Sequence, residues 1–74
     1  MSKLPAVSAR QVVAALKKAG FEERRQRGSH LRMFHPTTRC QTIVPIHSGD
    51  LKRGTLHGIL RHSGLSEEQF RGLL

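Results

Sequence analysis

Residues 21–46 read FEERRQRGSHLRMFHPTTRCQTIVPI, and this stretch decides the fold. Its apolar residues do not recur at the three- and four-residue spacing of a helix. Turn-forming residues at positions 28–29 (Gly-Ser) and 36–38 (Pro-Thr-Thr) instead divide the stretch into three short runs. The pattern predicts a three-stranded antiparallel meander.

The predicted strands cover residues 21–26, 30–35 and 40–46. The first is polar throughout most of its length. The second presents two alternating sets of side chains, with Leu31 and Met33 on one face and His30, Arg32 and Phe34 on the other. In the third, Pro45 has no amide hydrogen to donate, so it marks an edge strand or the end of pairing.

A helix is predicted on the N-terminal side of these strands. Ser8 and Gln11 have the spacing of a capping box, in which each side chain accepts a hydrogen bond from the other residue's backbone amide. Apolar residues follow at helical spacing until Gly20, a residue type that commonly ends helices. We therefore expect an amphipathic helix over residues 9–19.

Two further helices are predicted on the C-terminal side. From Gly54 and Thr55 onward, apolar residues recur at helical spacing until Gly64. Ser66 and Gln69 then form a second capping box, which predicts a short terminal helix.

The predicted order is α-β-β-β-α followed by a short C-terminal helix, which is an α+β fold. A chain of 74 residues is too short to divide into separate cores. We expect one domain over residues 1–74, with its core at about residues 8–65 and a helical tail at residues 66–74. This size excludes a two-domain enzyme with a deep substrate cleft.

The charge of the chain indicates a polyanionic partner. Thirteen Lys and Arg residues against five Asp and Glu residues give a formal net charge of +8. Spaced cations gain affinity for nucleic acid by releasing the counterions condensed on its phosphates. Nucleic acid is therefore the first expectation and a membrane surface the second.

Other features of composition restrict the class of protein further. Cys40 is the only cysteine, which excludes an internal disulfide and a four-thiolate zinc site. The N-terminus lacks the apolar region of a signal peptide, and no apolar run approaches the roughly 18 residues of a membrane span. We expect a cytoplasmic protein that does not act at a membrane.

His30 is the candidate catalytic residue. Imidazole titrates near neutrality, so it can take a proton from a ribose 2′-hydroxyl or donate one to a leaving oxygen. Gly28 permits close approach of the backbone to a phosphate, and the Ser29 hydroxyl can donate a hydrogen bond to it. The alternative is that residues 28–29 are merely a hairpin turn and His30 a solvated strand residue.

Two basic groups are candidate nucleic-acid contacts. Arg24, Arg25 and Arg27 adjoin the Gly-Ser-His segment and have no acidic residue after them until position 50. Their alternative role is an exposed, solubilising strand face. Lys52 and Arg53 precede a helix start whose amides can attract phosphate, unless Thr55 is simply the N-cap of that helix.

The histidines do not have the spacing of a metal site. His57 and His62 are five residues apart and diverge around a helix, and His30 and His35 fall on opposite faces of a strand. We expect neither a metal nor a cofactor. His35 and His47 remain alternatives for a second proton-transfer group.

Several short segments, in this order and spacing, resemble the HicA family of mRNA-interferase toxins over roughly residues 9–70. They are Gly28-Ser29-His30, His35-Pro36, Val44-Pro45-Ile46-His47, Leu51-Lys52-Arg53-Gly54-Thr55-Leu56, Ile59-Leu60-Arg61 and Gly64-Leu65-Ser66. The chain differs from the family's usual pattern at Leu31, where a second histidine is common, and at Met33, where an aromatic residue is frequent.

The resemblance implies a double-stranded-RNA-binding-like fold and ribonuclease activity on translated RNA. It also implies a HicB-type antitoxin as partner and His30 as the catalytic residue. A rival hypothesis is a non-catalytic module that binds double-stranded RNA or DNA, with residues 56–74 as a helix-turn-helix. A third is a small interaction protein whose charge pairs with an acidic protein.

Overall fold

A computed structural model describes residues 4–74, so the first three residues of the predicted domain lie outside the described part. Its elements are α1 (Ala9–Lys18), β1 (Glu22–Arg27), β2 (His30–Phe34), β3 (Gln41–Pro45), α2 (Arg53–Ser63) and α3 (Glu67–Leu73). The predicted α+β fold is confirmed, with the double-stranded-RNA-binding-like order α-β-β-β-α and a short C-terminal helix.

The capping box of α1 is formed by both predicted partners. The Ser8 hydroxyl accepts a hydrogen bond from the amide of Gln11 at 3.2 Å, and the Ser8 amide donates to Gln11 Oε1 at 2.9 Å. At the other end, Gly20 has a φ of +104°, a conformation that favours glycine. The helix therefore begins and ends where short-range chemistry predicts.

The three strands form one antiparallel sheet in the order β1-β2-β3, so β1 and β3 are its edges. Gly28 and Ser29 connect β1 to β2, and Gly28 has a φ of +59°, which suits the first position of a two-residue hairpin turn. Pro45 is the last residue of the edge strand β3, where its missing amide hydrogen breaks no ladder.

One face of the sheet packs against the helices. Leu31 and Met33 of β2 and Val44 of β3 are buried there, as the alternation predicts. The core also contains apolar residues from all three helices, from the segment before α1 and from two connecting segments, namely Leu4, Val7, Ala9, Val12, Ala15, Leu16, Phe21, Leu51, Leu56, Ile59, Leu60 and Phe70. The opposite face, called the outer face below, carries no helix.

The start of α2 differs from the prediction. The helix begins at Arg53, and Lys52 is its N-cap without a side-chain hydrogen bond. Thr55 lies inside the first turn, so the interpretation of Thr55 as the N-cap is wrong. The α3 helix agrees with the prediction, since Ser66 and Gln69 form its capping box.

Candidate nucleic-acid interface

His30 is the first residue of β2 and lies directly after the turn. It pairs with Arg27 of β1 and with Pro45 of β3. Because the neighbouring Leu31 is buried against the helices, strand alternation directs the His30 side chain to the outer face. The residue is exposed, and within residues 4–74 its imidazole makes no hydrogen bond.

The turn before His30 leaves its backbone open to a ligand. Gly28 and Ser29 are both exposed, and a Cβ atom added at Gly28 would meet no atom within 4 Å. Gln26 Nε2 donates a hydrogen bond to the Gly28 carbonyl oxygen at 3.1 Å, which supports the turn from the β1 side. A phosphate could therefore approach the main chain beside His30 without steric hindrance.

The three arginines predicted to contact nucleic acid all reach the outer face, and a bulge accounts for the orientation of Arg24. Arg25 pairs with Arg32 and Arg27 pairs with His30, which places both on that face. In a regular strand Arg24 would face the other way, but the register shifts between Glu23 and Arg25. The Arg24 guanidinium lies 4.7 Å from the centroid of the Phe34 ring, on the outer face.

Two further arginines join this surface. A shallow depression on the outer face is lined by Arg24, Arg25, Arg32, Phe34, Arg39 and Gln41. We call Arg24, Arg25, Arg32 and Arg39 the arginine cluster. Neither Arg32 nor Arg39 was predicted from the sequence to belong to the site. The alternation of β2 already signalled the position of Arg32, whereas no sequence pattern located Arg39.

Few carboxylates neutralise these arginines. Within residues 4–74, the only carboxylate paired with the arginine cluster is Glu22, 3.5 Å from Arg24. The other acidic residue of β1, Glu23, pairs with Lys17 of α1 at 2.6 Å. The outer face therefore carries a net positive charge beside His30, as an interface with phosphates requires.

Lys52 and Arg53 do not join this surface. Both are exposed at the start of α2, and neither lines the depression of the arginine cluster. They also do not line the cleft at the other side of the sheet, which contains His47. They form a separate basic site at a helix N-terminus.

His35 has a structural role that its sequence context did not reveal. Its Nδ1 accepts hydrogen bonds from the amides of Thr37 and Thr38, each at 3.2 Å. Its Nε2 must therefore carry the proton, and it donates to the Ala19 carbonyl oxygen at 3.1 Å. The ring also packs edge-on against Phe21, with centroids 5.1 Å apart. Both ring nitrogens are in use, which disfavours His35 as a proton-transfer group.

His47 lies at the same end of the sheet as His30. The amide of Ile46 donates to the Ser29 carbonyl oxygen, which holds the chain before His47 beside the turn. His47 Nδ1 donates to the Ser48 carbonyl oxygen at 2.9 Å, so Nε2 is the nitrogen with a free lone pair. The side chain lines a cleft between α1 and the sheet, together with Arg10, Lys17 and Leu31 among others.

Metal sites and membrane-spanning helices are both absent from residues 4–74. No group of three or more His, Cys, Asp or Glu side chains is arranged to hold a metal ion. None of the helices in this part of the chain has the length and apolar character needed to cross a bilayer.

Comparison with known proteins identifies the family. A family model described as "HicA toxin of bacterial toxin-antitoxin" matches residues 9–65, which run from α1 through α2. The chain belongs to the HicA toxin family. A search of curated proteins found no matching sequence. As a member of a toxin-antitoxin family, this HicA protein has the role of a toxin, and its family implies an antitoxin partner.

The family match covers the candidate interface completely. The HicA model spans the turn, His30 and the whole arginine cluster, while α3 lies beyond it. In this HicA chain, α3 contributes Phe70 to the core but no residue to the interface.

Proposed function

We propose that this HicA toxin is an endoribonuclease that cleaves mRNA without a metal ion and uses His30 for proton transfer. The observation that carries the proposal is the position of His30. Its imidazole is exposed and unpaired within residues 4–74, beside an accessible glycine turn and on the face that bears the arginines. The whole chain is proposed to act as one domain in the cytoplasm.

The chemistry follows from the ribose 2′-hydroxyl. Neutral His30 takes the 2′-hydroxyl proton while the 2′-oxygen attacks the adjacent phosphorus. A bond forms between the 2′-oxygen and phosphorus, and the bond between phosphorus and the 5′-oxygen breaks. The leaving 5′-oxygen receives a proton, so the products are a 2′,3′-cyclic phosphate and a 5′-hydroxyl. The nucleophile belongs to the RNA itself, which is why the reaction does not require a metal-activated water.

His47 is the remaining alternative for a second proton-transfer group, although its side chain lines the cleft on the face of the sheet opposite to the His30 side chain. His47 lies at the end of the sheet where His30 begins β2, and its Nε2 is free to exchange a proton. His35 lies at the other end of β2 and engages both ring nitrogens in hydrogen bonds with the backbone.

Phosphate contacts are proposed for five residues of β1 and of the turn that follows it. Arg24, Arg25 and Arg27 offer planar guanidinium groups that bind phosphate oxygens bidentately. Gly28 and Ser29 offer the accessible backbone and hydroxyl of the turn. Lys52 and Arg53 remain proposed as a second contact, through the uncapped N-terminus of α2.

The antitoxin is proposed to be of the HicB type and to cover the face that displays His30. The domain is small and has one continuous core, so it offers no hinge through which a distant site would act. The charge that attracts RNA would also steer an acidic partner to the same face.

The decisive experiment compares RNA with duplex DNA as substrate, with EDTA present. We expect the purified protein to cleave RNA and to release ends that carry a cyclic phosphate. Intact DNA that is retarded on a gel, with RNA equally intact, would instead support the non-catalytic binding module. A requirement for added Mg²⁺ would contradict the proposed mechanism.

A further inference from the structure

Arg39 has an unfavourable backbone conformation. Its φ is +65°, and it is the only non-glycine residue within 4–74 with a positive φ. It occupies the last position of the turn between β2 and β3, where its amide donates to the His35 carbonyl oxygen at 2.7 Å. Glycine adopts this conformation without strain, so a long charged side chain here needs a separate explanation.

The side chain of Arg39 completes a cluster of like charges. It lines the outer-face depression together with Arg24, Arg25 and Arg32. Arg25 and Arg32 are also direct cross-strand partners, a placement that is unfavourable for two like charges. Four guanidinium groups surround one depression, and among residues 4–74 only Glu22 is paired with any of them, so an anion that binds between them stabilises the cluster.

The depression is distinct from the position of His30. Phe34, on which Arg24 stacks, is four residues from His30 along β2, which corresponds to about 13 Å at about 3.3 Å per residue. The stacking holds the Arg24 guanidinium in place over the sheet. The two positions share one face, with Arg27 opposite His30 and with Arg25, a member of the cluster, opposite Arg32.

We propose that the arginine cluster is a second phosphate-binding site, which holds the RNA strand at a phosphate beyond the phosphodiester cleaved at His30. The inference rests on the proposed function. It implies that RNA must exceed a minimum length to bind with full affinity, since a short oligonucleotide at His30 does not reach the cluster. RNA is favoured over an acidic protein segment because the depression lies on the same face as His30 and offers four planar guanidinium donors, which bind phosphate oxygens bidentately.

The test measures the affinity of 2′-O-methyl RNA oligonucleotides of increasing length, which cannot be cleaved through a 2′-hydroxyl. The parent protein is compared with Arg39→Gly, which removes charge and strain, and with Arg39→Gln, which removes charge alone. Arg71→Gln on α3 removes one exposed positive charge far from the outer face and is the matched control.

We expect the gain in affinity from short to long RNA to fall about tenfold in both Arg39 variants, as loss of a charged hydrogen bond predicts. The slope of the logarithm of affinity against the logarithm of salt concentration should become less steep by about 0.7, because one phosphate contact is lost. The melting temperature of Arg39→Gly should equal or exceed that of the parent, so weaker binding would not reflect unfolding. Arg32→Gln should give the same change in binding and provides an independent readout.

The second site would be overturned if RNA affinity depended on oligonucleotide length and on salt concentration in Arg39→Gly and Arg39→Gln as it does in the parent protein. Unchanged RNA binding combined with weaker binding of an antitoxin would also overturn it, because the cluster would then belong to a protein interface. Failure of the proposed ribonuclease function is a separate result, because it appears as uncleaved RNA with the parent protein. Inorganic phosphate as a competitor should weaken the binding of long RNA more than the binding of short RNA. Equal weakening of both would also contradict a second site.

Discussion

His35 Nε2 donates a hydrogen bond to the carbonyl oxygen of Ala19 at 3.1 Å, and this contact joins the end of β2 to the end of α1. The same ring accepts two amide hydrogen bonds from the following turn through Nδ1. One histidine therefore connects the end of β2, the end of α1 and the turn that follows β2. It also holds the turn from which Arg39 projects to the outer face.

Replacement of His35 by Ala should destabilise the fold rather than the chemistry. The variant leaves two amides and one carbonyl without their partner, and each unsatisfied group costs about 1–3 kcal/mol when water cannot replace it. Because the site is only partly buried, we expect a total loss of about 2 kcal/mol. Urea denaturation measures this loss. The matched control is His47→Ala, because within the described residues the His47 ring bonds only to its neighbour Ser48.

Substitution of Gly20 by Ala should disturb the same junction. An added Cβ would lie 2.6 Å from His35 Nε2, and the φ of +104° is strained for any residue with a side chain. We expect a loss of stability of about 1–3 kcal/mol. Gly58→Ala on α2 is the control, because its Cβ meets no atom within 4 Å and alanine favours a helix. Equal stability of the two variants would contradict the role of the close contact.

Replacement of His30 by Ala should abolish RNA cleavage and growth toxicity without unfolding the protein. His30 is exposed, so its removal creates no cavity. General acid-base catalysis contributes about 10²–10⁴-fold, and we expect a rate reduction in that range or larger. The exposed His62 on α2 offers a matched control in His62→Ala. A folded His30→Ala protein that cleaves at the parental rate would contradict the proposed role of His30 in proton transfer.

Affinity for single-stranded RNA should fall steeply with salt. If about five cations contact phosphates, the logarithm of the binding constant should fall with the logarithm of the salt concentration at a slope of roughly −3.5. Replacement of Arg24, Arg25 and Arg27 by Gln should flatten the slope by about 2, because each lost contact contributes about 0.7. The double replacement of Lys52 and Arg53 provides the comparison. A larger effect of that pair would place the principal phosphate contacts at the start of α2.

The antitoxin and RNA should compete for this protein. With His30→Ala protein and uncleavable RNA, saturating antitoxin should displace the RNA, because both are proposed to bind the outer face. Fluorescence anisotropy of labelled RNA measures the displacement. A ternary complex with undiminished RNA affinity would show that the antitoxin binds elsewhere, and the surface of α2 would be the first region to test.

Short-range patterns were sufficient to predict much of this fold. The capping boxes at Ser8 and Ser66 and the glycine turn at Gly28 depend on contacts within a few residues, so local sequence specifies them. The alternation of Leu31 and Met33 similarly predicted which face of β2 is buried. The candidate site residue His30 was predicted from the same turn and strand, together with the resemblance to the HicA family.

Tertiary structure alone decided how the interface is composed. Arg24 reaches the outer face through a bulge, which exists only in the register between β1 and β2. Arg39 reaches it through a turn in a strained conformation, and His35 is held by a carbonyl sixteen positions away in the chain. Sequence periodicity assumes regular strands and short-range contacts. Irregular pairing and long-range hydrogen bonds arise only when the elements pack together, and they brought the four arginines into one cluster.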